Sequence, residues 1–222
     1  MSAWQHRRRP TAAAALAAAL SIAVLGCTSG HPSNRDRPFA WFRPGSPPTA
    51  WLRAGLPGQR ATLSYPNSLR LMHGDHGTVT VGRDSRSGAV LVYLNVTPRQ
   101  GDETLRNWPR FRLDHLREDG ETAVHVDGVS PALTFRGGRG RCVIDTYITK
   151  IHSNHYREIA CFVQGSHAAS VIVAATPTGA WRVYQPLLDR VVSTYQAGRG
   201  TARRSTRRPR RAERLAVPQP AW

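Results

Sequence analysis

The chain has 222 residues, with 31 Lys and Arg against 14 Asp and Glu and a formal net charge of +17. Much of that excess lies at the two ends: Arg7, Arg8 and Arg9 stand near the start, and eight arginines against Glu213 follow Gly198. Lys150 is the only lysine, so an arginine-rich coding bias explains the charge at least as well as phosphate binding does, and three cysteines without a CxxC or a Cys/His quartet give no zinc site.

In chain order, His6-Arg7-Arg8-Arg9 comes first and an alanine-rich apolar run from Thr11 to Gly26 follows, closing on Val24-Leu25-Gly26-Cys27. A basic start, a short apolar stretch and a small residue before the break are the layout of an export signal. At about 16 residues the run falls short of the roughly 20 that cross a bilayer as a helix. With cysteine at its end, the segment resembles a bacterial lipoprotein signal over residues 1–26. That resemblance implies a diacylglyceryl group on Cys27, cleavage before it, and attachment to the outer face of the cell membrane. Export makes nucleic acid an unsuitable partner and leaves anionic lipid heads or wall polymers as the counter-charges.

Residues 27–59 are rich in proline, including Pro38, Pro44, Pro47, Pro48 and Pro57, and are expected to form an extended tether. Phe39, Trp41, Phe42 and Trp51 are unusual in a linker. They are open to three readings: packing on the domain, contact with the lipid interface, or stray aromatics.

One domain is expected over residues 60–197. Alternation and turn signals place strands at 61–65, 78–82 and 89–97. Asp102 begins an expected helix to 119, with Leu105, Trp108, Leu113 and Leu116 toward one side, although Pro109 requires the regular helix to start near it or kink. Short strands at 123–126 and 132–135 precede three strong ones at 141–151, 156–164 and 168–175, joined by hairpin-length turns. Trp181, Tyr184, Leu188, Val191 and Tyr195 recur at steps of three and four, giving a closing helix with Pro186 inside it. The remainder, 198–222, lacks apolar periodicity and is expected to be a disordered basic tail.

The Tyr65-Pro66 entry, Gly128-Val129-Ser130-Pro131-Ala132-Leu133, the meander, the Thr176-Pro177 break and the last helix resemble Mog1/PsbP-like domains. The actinobacterial lipoproteins of the LpqN type are the nearest in kind. The resemblance implies an α/β fold, an α/β/α sandwich on an antiparallel sheet, working as a binding module. It carries no catalytic signature and therefore implies no activity.

Candidate chemistry is sparse. If the turn after the 141–151 strand centres between Ile151 and His152, Cys142 faces Cys161; the two form a disulfide or remain buried thiols, and an oxidising compartment favours the bond. His73/His76 and His152/His155 are spaced as metal ligands are, yet lie at turns with no third ligand, so no metal is expected. Asp145 and Glu158 either oppose one another as a carboxylate pair, or Glu158 pairs with Arg157 or Arg141 on a solvated face. The stretch Arg136-Gly137-Gly138-Arg139-Gly140-Arg141 reads as a flexible basic loop, since no helix follows to complete a phosphate cradle. Arg203, Arg204, Arg207, Arg208, Arg210 and Arg211 are candidates for contact with an anionic surface.

The expectation is therefore a non-enzymatic, membrane-anchored module without a cofactor. It would bind another cell-envelope protein or a ligand. The alternative is a surface enzyme or small-molecule carrier with a site assembled from scattered residues. A deep cleft of converging charged groups with shifted pKa values would favour a carrier or enzyme, and a shallow face with an exposed apolar patch a docking module.

Overall fold

The computed structural model describes residues 37–198, apart from Arg60 and Ser87. The signal, Cys27 and the arginines from Arg199 onward lie outside the described residues. Among those described, no helix is long and apolar enough to cross a membrane.

The chain runs through β1 (Leu52–Gly55), β2 (Ala61–Tyr65), β3 (Arg70–Leu71), β4 (Val79–Asp84) and β5 (Val90–Pro98) into helix α1 (Trp108–Glu118). It continues through β6 (Thr122–Val129), β7 (Leu133–Phe135), β8 (Gly138–Ile148), β9 (His155–Gly165) and β10 (Ala169–Pro177) to helix α2 (Trp181–Thr194) and β11 (Gln196–Ala197). An eight-stranded sheet has the order β3-β4-β5-β10-β9-β8-β6, with β7 beside β8; a small sheet has the order β1-β2-β11. Every strand pairing within the two sheets is antiparallel. The architecture is an α/β/α sandwich.

Alternation divides the large sheet into two faces. On the α2 side, Val92, Leu94 and Val96 of β5, Cys142 and Ile144 of β8, Ile159 and Cys161 of β9, and Ile172 of β10 are buried. They meet Trp181, Leu188, Val191 and Val192 of α2, whose steps of seven, three and one place them on one face of the helix. On the other side, Val143, Ala160, Phe162 and Val171 meet Trp108 of α1.

Several sequence expectations change. Residues 39–51 are not a free tether: Phe39 and Phe42 are buried, and the Phe42 ring lies 4.8 Å from that of Phe135. The domain therefore begins well before Arg60, as a strap laid beside α2 and followed by β1. Burying aromatic surface stabilises this ordering, and prolines lose little freedom in it because φ is already restricted. The Gly45 amide donates to the Ser193 carbonyl at 3.0 Å, tying strap to helix. Native-state hydrogen exchange should show this amide protected; exchange at the free-peptide rate would return the segment to a tether.

The basic loop at 136–141 is instead a tight β7–β8 turn running into β8, with Phe135 opposite Gly138. Gly137 sits at φ +77°, and a Cβ at Gly140 would stand 2.4 Å from the Phe135 ring, so the glycines serve backbone conformation and close packing. Of the two outcomes that Pro109 left open, helix α1 takes the first: it starts at Trp108 and not at Asp102, with Pro109 in the first turn, where a missing N–H breaks no helical bond. Helix α2 ends at Thr194; Tyr195 is extended, and its buried hydroxyl shares a 2.6 Å hydrogen bond with Ser170 Oγ.

Candidate functional site

The α1 side of the sheet is only partly covered. Seven strands side by side span roughly 30 Å, whereas a helix with its side chains is about 10–12 Å across. On the α2 side, the strap and the small sheet add cover. On the other side, α1 packs mainly over β6 and β8, leaving the half formed by β5 and β10 with Tyr93, Asn95, Thr97 and Val173 facing a cleft of about 430 Å³.

One helical stripe forms the inner wall. Trp108, Arg112 and Leu116 recur every fourth residue and are all buried. Trp108 Nε1 donates to the Ala160 carbonyl at 3.1 Å, pinning the first turn to β9. A turn later, Arg112 Nε donates to Glu158 Oε1 at 2.9 Å, and Nη2 donates to the same oxygen. On the adjoining stripe Phe111 and His115 stack with centroids 5.9 Å apart, both facing the cleft.

The sheet supplies the acids. Asp145 and Glu158 are directly opposed on β8 and β9, on the α1 side, and both are fully buried. Two buried carboxylates at opposed positions repel one another unless neutralised. Glu158 is satisfied by Arg112 and by the Tyr147 hydroxyl, which donates to Oε2 at 3.1 Å. Asp145 has Arg112 Nε at 3.9 Å from Oδ2 but no hydrogen-bond partner for either oxygen. Burial, followed by the Glu158 charge, pushes its pKa up to about 9 against the opposing pull of Arg112, so Asp145 holds its proton at neutral pH. Burial would lower the Arg112 pKa, but Glu158 and Asp145 together raise it. Burial and Glu158 raise Tyr147, and burial raises Tyr93. Arg112 and Tyr147 consequently remain protonated at neutral pH.

The rest of the lining is also set in place by hydrogen bonds. Glu103 is buried and accepts the amides of Gln100 and Gly101 at 2.8 and 2.7 Å, shaping one end of the cleft. Asn95 Nδ2 donates to the Tyr93 hydroxyl at 2.7 Å and to Thr80 Oγ1 at 3.3 Å, leaving Asn95 Oδ1 without a partner.

No known family matches the chain, and no curated protein does. Solved structures do. The cyanobacterial PsbP of Synechocystis sp. is similar at 12% identity, over 69% of this chain and 95% of its own, with a TM-score of 0.48. LpqN of Mycobacterium tuberculosis, a protein involved in cell envelope biogenesis, is similar at 12% identity over 67% and 90%, with a TM-score of 0.43.

The residues singled out in the sequence fall mostly away from this cleft. Cys142 and Cys161 are paired in register and joined by a disulfide, on the α2 side. That register is the one a turn centred between Ile151 and His152 requires. His73, His76, His152 and His155 are exposed, and no group of three metal-ligating residues occurs among the described residues. Neither expected partner of Glu158 is its partner: Arg157 pairs with Asp127 at 3.2 Å and lies over the Trp181 ring, while Arg141 donates to the carbonyls of Ser130 and Arg106. Alternation sends Arg157 and Glu158 to opposite faces. Arg112, Tyr147, Tyr93, Asn95 and Glu103 were not singled out. The available signal was Arg112 standing between Trp108 and Leu116 on a stripe that is otherwise apolar.

Proposed function

We propose that the chain is an extracytoplasmic lipoprotein, anchored through Cys27 to the outer face of the membrane, whose domain is a non-enzymatic module that binds a ligand in the α1-side cleft. The cleft carries this reading. It is concave, walled by aromatic rings, and set with polar groups whose positions are already fixed, as binding sites are. Arg112, Glu158 and Tyr147 satisfy one another, so they support a rigid wall rather than present an activated nucleophile. The concave site favours capture of a small ligand over docking on a flat face.

The arginines beyond Gly198 fit an accessory role, holding the domain near anionic lipid or wall polymer. A second cell-envelope protein would then receive or deliver the ligand.

Two experiments test the two halves. Cys27→Ala should leave an unprocessed, unacylated precursor by mass spectrometry; a wild-type protein with an intact N-terminus and no acyl mass on Cys27 would refute the anchor. For the cleft, thermal unfolding is measured with a panel of small metabolites, using wild type and Val173→Trp, which fills the space. A compound that raises Tm of wild type alone supports the reading. If no compound separates the two proteins, or if the bound compound is turned over, the reading fails.

A further inference from the structure

We infer that the cleft's ligand is an organic cation: an ammonium or guanidinium group carried on an apolar body. This rests on the cleft being the ligand site and concerns only what it accepts.

The charge of the lining runs against that of the chain. In a protein of formal charge +17, the cleft gathers the carboxyl side chains of Asp75, Glu103, Asp119 and Glu158, while its basic residues are Arg112 and His115 alone. Arg112 is bonded to Glu158, and His115 Nε2 stands 3.5 Å from an Asp119 oxygen. A coding bias toward arginine does not produce such a local reversal. An anionic ligand would meet carboxylates with both basic groups already paired.

The hydrogen-bonding capacity left over includes acceptors beside charged rim oxygens. The Asn95 amide hydrogens point to Tyr93 and Thr80, leaving Oδ1 as an acceptor without a donor. Tyr147 gives its hydroxyl proton to Glu158. Asp75 and Asp119 lie exposed at the rim and add further acceptor oxygens. Asn95 Oδ1 is buried as well as unpartnered, so a donor on the ligand reaches it only when the side chain turns toward the cleft, whereas the exposed oxygens of Asp75 and Asp119 accept from a ligand N–H directly. Between the acceptors stand Tyr93, Phe111 and Tyr147, whose ring faces attract a cation and whose area receives an apolar body.

The test uses three probes with the same phenyl body: phenethylammonium, 3-phenylpropionate and 2-phenylethanol. Each is titrated into the full chain by calorimetry. Phenethylammonium should bind at least about tenfold more tightly than either of the others. In Asp75→Asn/Asp119→Asn, exposed changes that leave the core intact, it should lose at least about tenfold while 2-phenylethanol changes by less than about twofold. Val173→Trp should abolish binding of all three, with near-ultraviolet circular dichroism confirming that the variant is folded. Equal or tighter binding of 3-phenylpropionate overturns the inference while the cleft stands as a site. So does ammonium binding that survives Val173→Trp. Absence of binding by all three probes at about 10 mM also overturns it; the metabolite panel decides separately whether the cleft binds anything else.

Discussion

Arg112→Ala is expected to destabilise the domain by about 3–5 kcal/mol, because removing one partner of a buried ion pair leaves the other uncompensated. Glu158, itself fully buried, would keep only the Tyr147 hydroxyl. Asp145, which has Arg112 as its nearest cation, would lose the one charge that opposes the rise in its pKa and would stay protonated. Urea unfolding monitored by tryptophan fluorescence measures the loss, since Trp108 reports directly on α1. The cause is separated from lost packing by Arg112→Met/Glu158→Leu, which removes both charges and retains volume. This double variant should recover most of the loss, as apolar replacements of buried pairs do. If it is no more stable than Arg112→Ala, the charge left behind is not what destabilises the single variant.

The second large effect is a dependence on pH that runs opposite to the usual behaviour of a paired carboxylate. In the unfolded chain Asp145 titrates near 3.9; in the fold its pKa is about 9. Between those values the native state binds a proton that the unfolded state has released. Its contribution to stability is therefore full below about pH 4 and falls as pH rises toward about 9, by at most about 1.4 kcal/mol per unit. Asp145→Asn keeps the shape of the side chain and removes the titration. The difference in unfolding free energy, wild type minus variant, should decline steadily from about pH 5 to about pH 8. Parallel curves for the two proteins would mean that Asp145 titrates alike in both states.

These two residues also show where sequence reading ends. Strands β8, β9 and β10 were legible because alternation over 142–144 and 159–163 has one period and the intervening turns are short. The turn position then placed Cys142 opposite Cys161. Helix α2 was legible for the same kind of reason, through a strong period of three and four. The strap was legible only as one of three readings of its aromatics, since Phe39, Trp41, Phe42 and Trp51 follow no period and gain their burial from contacts far along the chain. Strands β3 and β11, of two residues each, have no length in which a period can show. At the site, the opposition of Asp145 and Glu158 could be read from the hairpin. Their burial could not, because it depends on an arginine 46 residues away that is held against β9 by the seating of Trp108.

The small sheet has a consequence for the order in which the domain can be completed. Strand β2 pairs with β11 through Thr62 with Gln196 and Ala61 with Ala197, so neighbours in this sheet come from opposite ends of the domain. Contacts of such long sequence separation slow folding, because the chain between them must be closed into a loop before any pairing compensates for its entropy. A chain emerging N-terminus first can form its central hairpins early. Its opening strands must wait for the final ones, and until then one edge of β2 is open to pairing with other chains. A product truncated before Gln196 would remain in that condition permanently, carrying the whole large sheet and still prone to aggregate through the segment it made near the start.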